Sequence, residues 1–261
     1  MNAIGISAVI SDLDGVVYRG EEAIPGSIET IREWARRGIP YAFVTNNATK
    51  SAEAFAAKIR RLGAPVEAAQ VVTSAEATAS HFGTSFAKRT RTFAIGEAVL
   101  IGALEREGAD LVDADDAAVV VLGFDYALSY AKLRTAVRAV MGGAALLVTN
   151  PDLITPAERG FDPCVGASLA AITAAVPAAR PVIVGKPSPI MIREALRRIG
   201  GDPRSTIMVG DQVATDVVAG QAAGLRSFLV KSGVAIGGDN RAVPDGVYPS
   251  LSQIPFDRLS S

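Results

Sequence analysis

The sequence predicts an α/β fold: a parallel sheet covered by helices, with a second, smaller α/β domain inserted into it. Three observations carry this. Short β-branched runs alternate with longer alanine-rich stretches of helical period along the 261 residues. Most of the short runs are apolar throughout, the pattern of strands buried on both faces. Polar residues collect at the ends of some strands and not of others.

In chain order, strands are expected at 8–11, 41–45, 92–95, 118–123, 146–149, 182–184, 207–209 and 227–230. Helices are expected between them at 28–37, 51–62, 98–107, 130–141, 166–175, 189–199 and 213–223. Gly38, Gly63, Gly108, Gly200 and Gly224 punctuate helix C-termini. Such alternation implies right-handed crossovers between parallel strands.

Four strands end in small or charged groups: Asp12 after the first, Thr45 after the second, Lys186 after VIVG and Asp211 after IMVG. In an open parallel sheet, ligands bind beyond the carboxyl ends of the strands. Adjacent strands would therefore bring these four side chains together. Segment 80–180 has its own strand–helix alternation but lacks this strand-end polarity. Residues 1–79 and 181–261 are thus expected to form the core, with 80–180 as the inserted domain.

Composition narrows the function. Apolar residues make up 49% and charged residues 20%, as in a globular chain. A net charge of −1 provides no basic field for nucleic acid. The single cysteine, Cys164, excludes an intrachain disulfide framework and suits a reducing cytosol. Asp12 arrives before a signal-peptide core could form, and the apolar run 117–122 is too short to span a bilayer. The expectation is a cytoplasmic protein with neither nucleic acid nor membrane as partner.

The stretch SDLDGVVY, residues 11–18, sets two aspartates one residue apart at the end of a buried-looking strand, with Gly15 to turn the backbone. Two carboxylates there are costly unless a cation or a proton compensates them. Mg2+ fits, since it takes one or two carboxylates together with water and phosphate oxygens. Asp211 and Asp216, in GDQVATD, offer further oxygen ligands. An EF-hand is excluded because Val16 and Val17 stand in its loop and Ala23 replaces its closing Glu. Thr45-Asn46-Asn47 supplies a hydroxyl, amides and backbone N–H groups where a helix begins, a ready anion site. Lys186, in GKPSP, adds a cation held in a proline-stiffened loop. A P-loop is excluded, with Arg180 where its first glycine belongs and Pro187 in place of its Ser or Thr.

DLDGV, a threonine closing the second strand, a lysine after a later one and GDxxxTD together resemble the haloacid dehalogenase-like (HAD) phosphohydrolases. TNNAT, GKPSP and TNPD further resemble their NagD-like or p-nitrophenylphosphatase-like branch. The resemblance implies a Rossmann-like core with an inserted α/β cap that sets substrate specificity. It also implies roles: Asp12 as nucleophile, and Asp14 as general acid and then base. Thr45, Asn46 and Lys186 would hold phosphoryl oxygens. Mg2+ would be bound by Asp12, the backbone carbonyl of Asp14, Asp211 and Asp216, the last directly or through water. Asn47, Asn150 and Asp152 are candidate substrate contacts, with a turn set by Asn and Pro as the plainer reading of 150–152. The run 164–168 departs from the branch, with Cys164 and Val165 where proline or glycine is commoner.

The implied activity is Mg2+-dependent hydrolysis of a small phosphorylated metabolite through an aspartyl phosphate. Two alternatives stand beside it. A phosphomutase or phosphotransferase would need a phospho-Asp12 that resists water, and its usual helical cap does not fit in the 15–45 interval. A phospho-accepting signalling module would use an Asp, Thr and Lys on a sheet but needs only about half this length. Cap surfaces in such folds can pair, so a homo-oligomer stays open.

Overall fold

A computed structural model of the chain describes residues 5–157, 159–233 and 242–256. The chain forms two compact units: Met1–Thr45, Ala52–Val72 and Lys186–Ser261 make the first, Asn46–Ser51 and Thr73–Gly185 the second. It opens with β1 (Ala8–Asp12), the hairpin β2 (Tyr18–Arg19) and β3 (Glu22–Ala23), and α1 (Ser27–Arg36). Next come β4 (Tyr41–Thr45), α2 (Ala52–Leu62) and β5 (Val71–Thr73). The second unit holds α3 (Ser74–Ser85), β6 (Arg91–Ile95), α4 (Ala98–Arg106), β7 (Asp110–Leu111), β8 (Val119–Leu122) and α5 (Tyr130–Met141). It continues with β9 (Ala145–Val148), the hairpin β10 (Ile154–Ala157) and β11 (Gly160–Pro163), α6 (Val165–Ala175) and β12 (Val182–Ile183). The chain then adds α7 (Pro189–Ile199), β13 (Thr206–Gly210), α8 (Val218–Ala222), β14 (Arg226–Val230) and β15 (Gly246–Tyr248).

The first unit is a Rossmann-like layer built on a six-stranded sheet of order β15-β14-β13-β1-β4-β5. β1 is central and wholly buried, and pairs in parallel with β4 (Val9 with Tyr41) and β13 (Val9 with Ile207). From β1 the chain builds outward through β4 and β5, then returns to build the other side through β13, β14 and β15. The direction therefore reverses between β1 and β13, and at such a switch point a crevice opens at the carboxyl ends of the strands. Ile28, Ile31 and Trp34 recur at helical spacing and seat α1 in a core shared with Val9, Phe43, Phe55 and Ile207. Trp34 meets Phe256 edge-on, with ring centroids 5.3 Å apart.

The second unit repeats the plan in a five-stranded sheet of order β12-β9-β8-β6-β7. Because β8 and β9 are buried on both faces, their residues divide between two clusters. Val120, Leu122, Leu146 and Val148 join Ala136, Val140 and Ile172 of α5 and α6. Val119, Val121 and Leu147 join Ala75 and Phe82 of α3 and Leu100 and Leu104 of α4.

Two expectations need correction. Val182–Ile183 is an edge strand of the second unit's sheet, paired with Leu147 and Val148, so Lys186 does not follow a strand of the sheet that carries Asp12. α3 was not expected: its sequence is rich in small and polar residues, and its start is marked instead by Thr73, whose hydroxyl accepts from the Glu76 N–H. Among the described residues no helix is long and apolar enough to cross a membrane.

Candidate active site

Asp12 is the last residue of β1, where a wholly buried strand runs out into the crevice. Its peptide is fixed by the Ser11 hydroxyl, which donates to the Asp12 carbonyl at 2.7 Å. Thr45 ends the neighbouring β4, and Asp211 directly follows β13 on the other side. Three strand ends that adjoin in the sheet thus supply the expected residues.

Lys186 arrives from a loop. Three residues on, α7 begins with Ser188 as N-cap, accepting from the Ile190 N–H, and Pro189 in the first turn. Met191, Ile192, Ala195 and Leu196 bury one face of α7 and so fix where the loop lies. Lys186 is 4% exposed, and its ammonium donates to Asp12 Oδ1 at 2.5 Å and Asp216 Oδ1 at 2.6 Å. Asp216 sits in a single turn of π-helix, Val213–Val217, a wide turn that recurs at functional sites. The other oxygen of Asp216 accepts from the Gln212 N–H at 3.0 Å.

Glycines let the acidic segments close in. Gly15 adopts φ 79°, and a Cβ on it would strike the Asp211 carboxylate. Gly210 likewise leaves room for Asp216, whose carboxylate would meet any side chain there. Opposite Gly15, the Ser232 hydroxyl donates to its carbonyl at 2.7 Å. Asp14 is exposed, with its backbone bridged to Tyr18.

The electrostatics follow from burial. Loss of water pushes the Asp12 carboxyl well above its ordinary range; Lys186 opposes this, while Asp216 and Asp211 add to it. Burial, reinforced by Asp216, pushes Asp211 up to about 7. Burial alone would depress Lys186, but Asp12 and Asp216 outweigh it and hold the ammonium charged. Asp12, Asp211 and Asp216 each offer an oxygen within 4.8 Å of the others. Two buried carboxyl groups and a half-buried one share a single ammonium, and all three offer hard oxygens. That set fits a hard divalent cation.

The other expected residues gather in the second unit. The Asn46 side-chain amide donates to both oxygens of Asp152, at 3.3 and 3.1 Å. Asn150, 2% exposed, gives its amide N–H to the Asn46 carbonyl at 2.9 Å and accepts from the Asp152 N–H at 3.1 Å. Asn47 is exposed, and its side-chain Oδ1 accepts from the backbone N–H and the hydroxyl of Thr49. Ser74, which the sequence reading missed, donates to the Asn46 carbonyl at 2.6 Å. The Thr73 cap was the signal that could have found it.

Known proteins place the chain. Residues 9–110 match the family model for haloacid dehalogenase-like hydrolases, and residues 183–254 the HAD-hydrolase-like model. The chain is 37% identical to the 5'-nucleotidase YutF of Bacillus subtilis, over 85% of this chain and 86% of that protein. It is 36% identical to the dihydroxyacetone phosphatase of Corynebacterium glutamicum, over 90% of this chain and 84% of that one. The solved structure of NagD from E. coli K-12 superposes with a TM-score of 0.88 at 32% identity, covering 97% of this chain and 99% of that one. With its strand-end carboxylates and its inserted α/β unit, the chain belongs to the NagD-like branch of the haloacid dehalogenase-like hydrolases and is a phosphoric monoester hydrolase.

Proposed function

We propose that the protein hydrolyses small phosphate monoesters with the help of Mg2+, through a covalent phosphoryl group on Asp12. The observation that carries the reading is the grouping of buried Asp12, Lys186 and Asp216 with half-buried Asp211 at the switch point of the sheet.

In the first half-reaction an Asp12 carboxylate oxygen attacks phosphorus. The bond from phosphorus to the ester oxygen breaks, and Asp14 gives that oxygen its proton. In the second, Asp14 takes a proton from water, the water oxygen attacks phosphorus, and the bond to Asp12 breaks. Phosphate leaves, with Asp12 restored as the carboxylate and Asp14 as the protonated acid. The Lys186 ammonium, the Thr45 hydroxyl and the Asn46 N–H stabilise the phosphoryl oxygens as charge spreads over them. Asp12, the Asp14 carbonyl, Asp211 and Asp216 would hold Mg2+, which when bound offsets the charge of carboxylates and phosphate.

The inserted unit, with boundaries near 80 and 180, would act as the cap that selects the leaving group, Asn47 and Asp152 contributing contacts. Asn150 is better read as the brace of that loop, because its amide is already committed to Asn46 and Asp152. The substrate is a small metabolite in a reducing cytoplasm, of the kind named for the nucleotidase and the dihydroxyacetone phosphatase. Between residues 15 and 45 lie only the β2–β3 hairpin, α1 and β4, which disfavours a mutase with a helical cap there. Replacing Asp12→Asn tests the reading: Mg2+-dependent hydrolysis of p-nitrophenyl phosphate should fall by at least ~1,000-fold. Retained activity would reject it.

A further inference from the structure

The segment that leaves the nucleophile strand is clamped by a lysine that none of the roles above uses. Lys58 stands on α2, with Ala52, Phe55, Ala56 and Ile59 burying the helix face beside it. Its side chain is only 14% exposed, low for a lysine. The ammonium lies over the Tyr18 ring, 3.6 Å from the centroid, and donates to the Gly20 carbonyl at 2.6 Å. Glu21 is 3.5 Å away, but it is 76% exposed, and such an ion pair would not bury a lysine. The ring face and the carbonyl are what hold it.

Tyr18 is the residue through which this reaches the site. It is fully buried, and its phenol oxygen has no hydrogen-bond partner among the described residues, so the ring is held by packing and by the cation above it. Its backbone faces Asp14: the two form a bridge, and the Tyr18 carbonyl accepts from the Gly15 N–H at 2.8 Å. The N–H groups of Val17 and Tyr18 both return to the Leu13 carbonyl. The peptide carrying Asp14 therefore cannot shift without moving Tyr18. On the far side Arg19 donates to the Ser232 carbonyl, and Ser232 to that of Gly15.

We propose that Lys58 is a positioning residue for Asp14, clamping the segment 14–21 through the Tyr18 ring and the Gly20 carbonyl. The proposal rests on the reading of Asp14 as the acid for the leaving group, and that dependence supplies a discriminating test. A p-nitrophenolate leaves without a proton, whereas an alkoxide needs one. The ratio of kcat/KM for an alkyl phosphate to that for p-nitrophenyl phosphate thus reads the acid. It also leaves out the later attack of water.

The experiment compares Asp14→Asn, Lys58→Met and Lys58→Arg in the full chain with Mg2+, on glycerol phosphate and p-nitrophenyl phosphate. Asp14→Asn should lower the ratio by about 100-fold, and Lys58→Met, which keeps the stem without the charge, by about tenfold. Lys58→Arg, still able to stack on the ring and donate to the carbonyl, should recover most of it. If Asp14→Asn lowers the ratio but Lys58→Met slows both esters alike or neither, the positioning role is overturned. If Asp14→Asn leaves the ratio unchanged, the reading of Asp14 as the acid fails, and the proposal with it. Should Lys58→Met not fold, Lys58→Gln replaces it and is judged by the same ratio.

Discussion

The two units are built on one plan and differ in what their strands lead into. In the first, β1, β4 and β13 end at Asp12, Thr45 and Gly210-Asp211. In the second, β6, β8 and β9 are just as apolar but run into Gly96, Gly123 and Thr149-Asn150. Parallel pairing and two-sided burial give both their sheets; only one gathers carboxylates at a switch point. The architecture supplies a rim, and the residues set on it decide whether chemistry happens there.

The comparison breaks most easily at Asp211. Asp211→Asn removes one of three clustered carboxylates, and the Mg2+ concentration for half-maximal activity should rise by at least ~100-fold, read by metal titration of turnover. An unchanged requirement would mean that the strand-end acids of the first unit are no more functional than the glycines of the second. Asn150 sharpens the other side. Asn150→Ala removes one of the donors to the Asn46 carbonyl and the side-chain acceptor of the Asp152 N–H, and should cost about 1–3 kcal/mol in thermal or denaturant unfolding. Reactivity at Asp12 should persist in this variant, with any change falling mainly on KM.

The smallest effect concerns pH. Asp211 is raised from 3.8 to about 7 in the folded chain, so it binds its proton more tightly than when unfolded. Its contribution to stability is therefore fully present below pH 3.8 and lost as pH rises towards 7. With metal removed by EDTA, Asp211→Asn should gain Tm relative to wild type between pH 4 and 7. Saturating Mg2+ should erase or reverse the gain, because the cation then compensates the carboxylate. A Tm difference that stays flat from pH 4 to 7 in EDTA would contradict the burial argument.

Much of this was legible in the residues, for physical reasons that differ by element. β4, α5 and α7 lie at the residues read from periodicity and caps, because each is bounded by strong punctuation such as Ser188-Pro189 and Gly200. The strand-end reading found Asp12, Thr45 and Asp211 because each directly ends or follows an apolar strand. It brought Lys186 to the right place for a wrong reason, since a two-residue strand in VIVG carries nothing to say which sheet it joins. α3 escaped because its small residues give a weak stripe, and β11 because it is exposed along its length, with no core face to impose a pattern. Lys58 was invisible for another reason: one lysine on an amphipathic helix reads as solvated, and only the fold lays it over a tyrosine forty residues earlier in the chain.

The central claim is that Asp12 carries the phosphoryl group between the two half-reactions, and Asp14→Asn offers the most direct look at it. With p-nitrophenyl phosphate this variant needs no proton for the leaving group but lacks the base that activates water. Rapid mixing should therefore release about one p-nitrophenolate per protein in a burst. Slow turnover should follow, with phosphate recovered on the peptide that contains Asp12 after acid quench. Slow turnover with no burst, or a label on any other residue, would contradict the account.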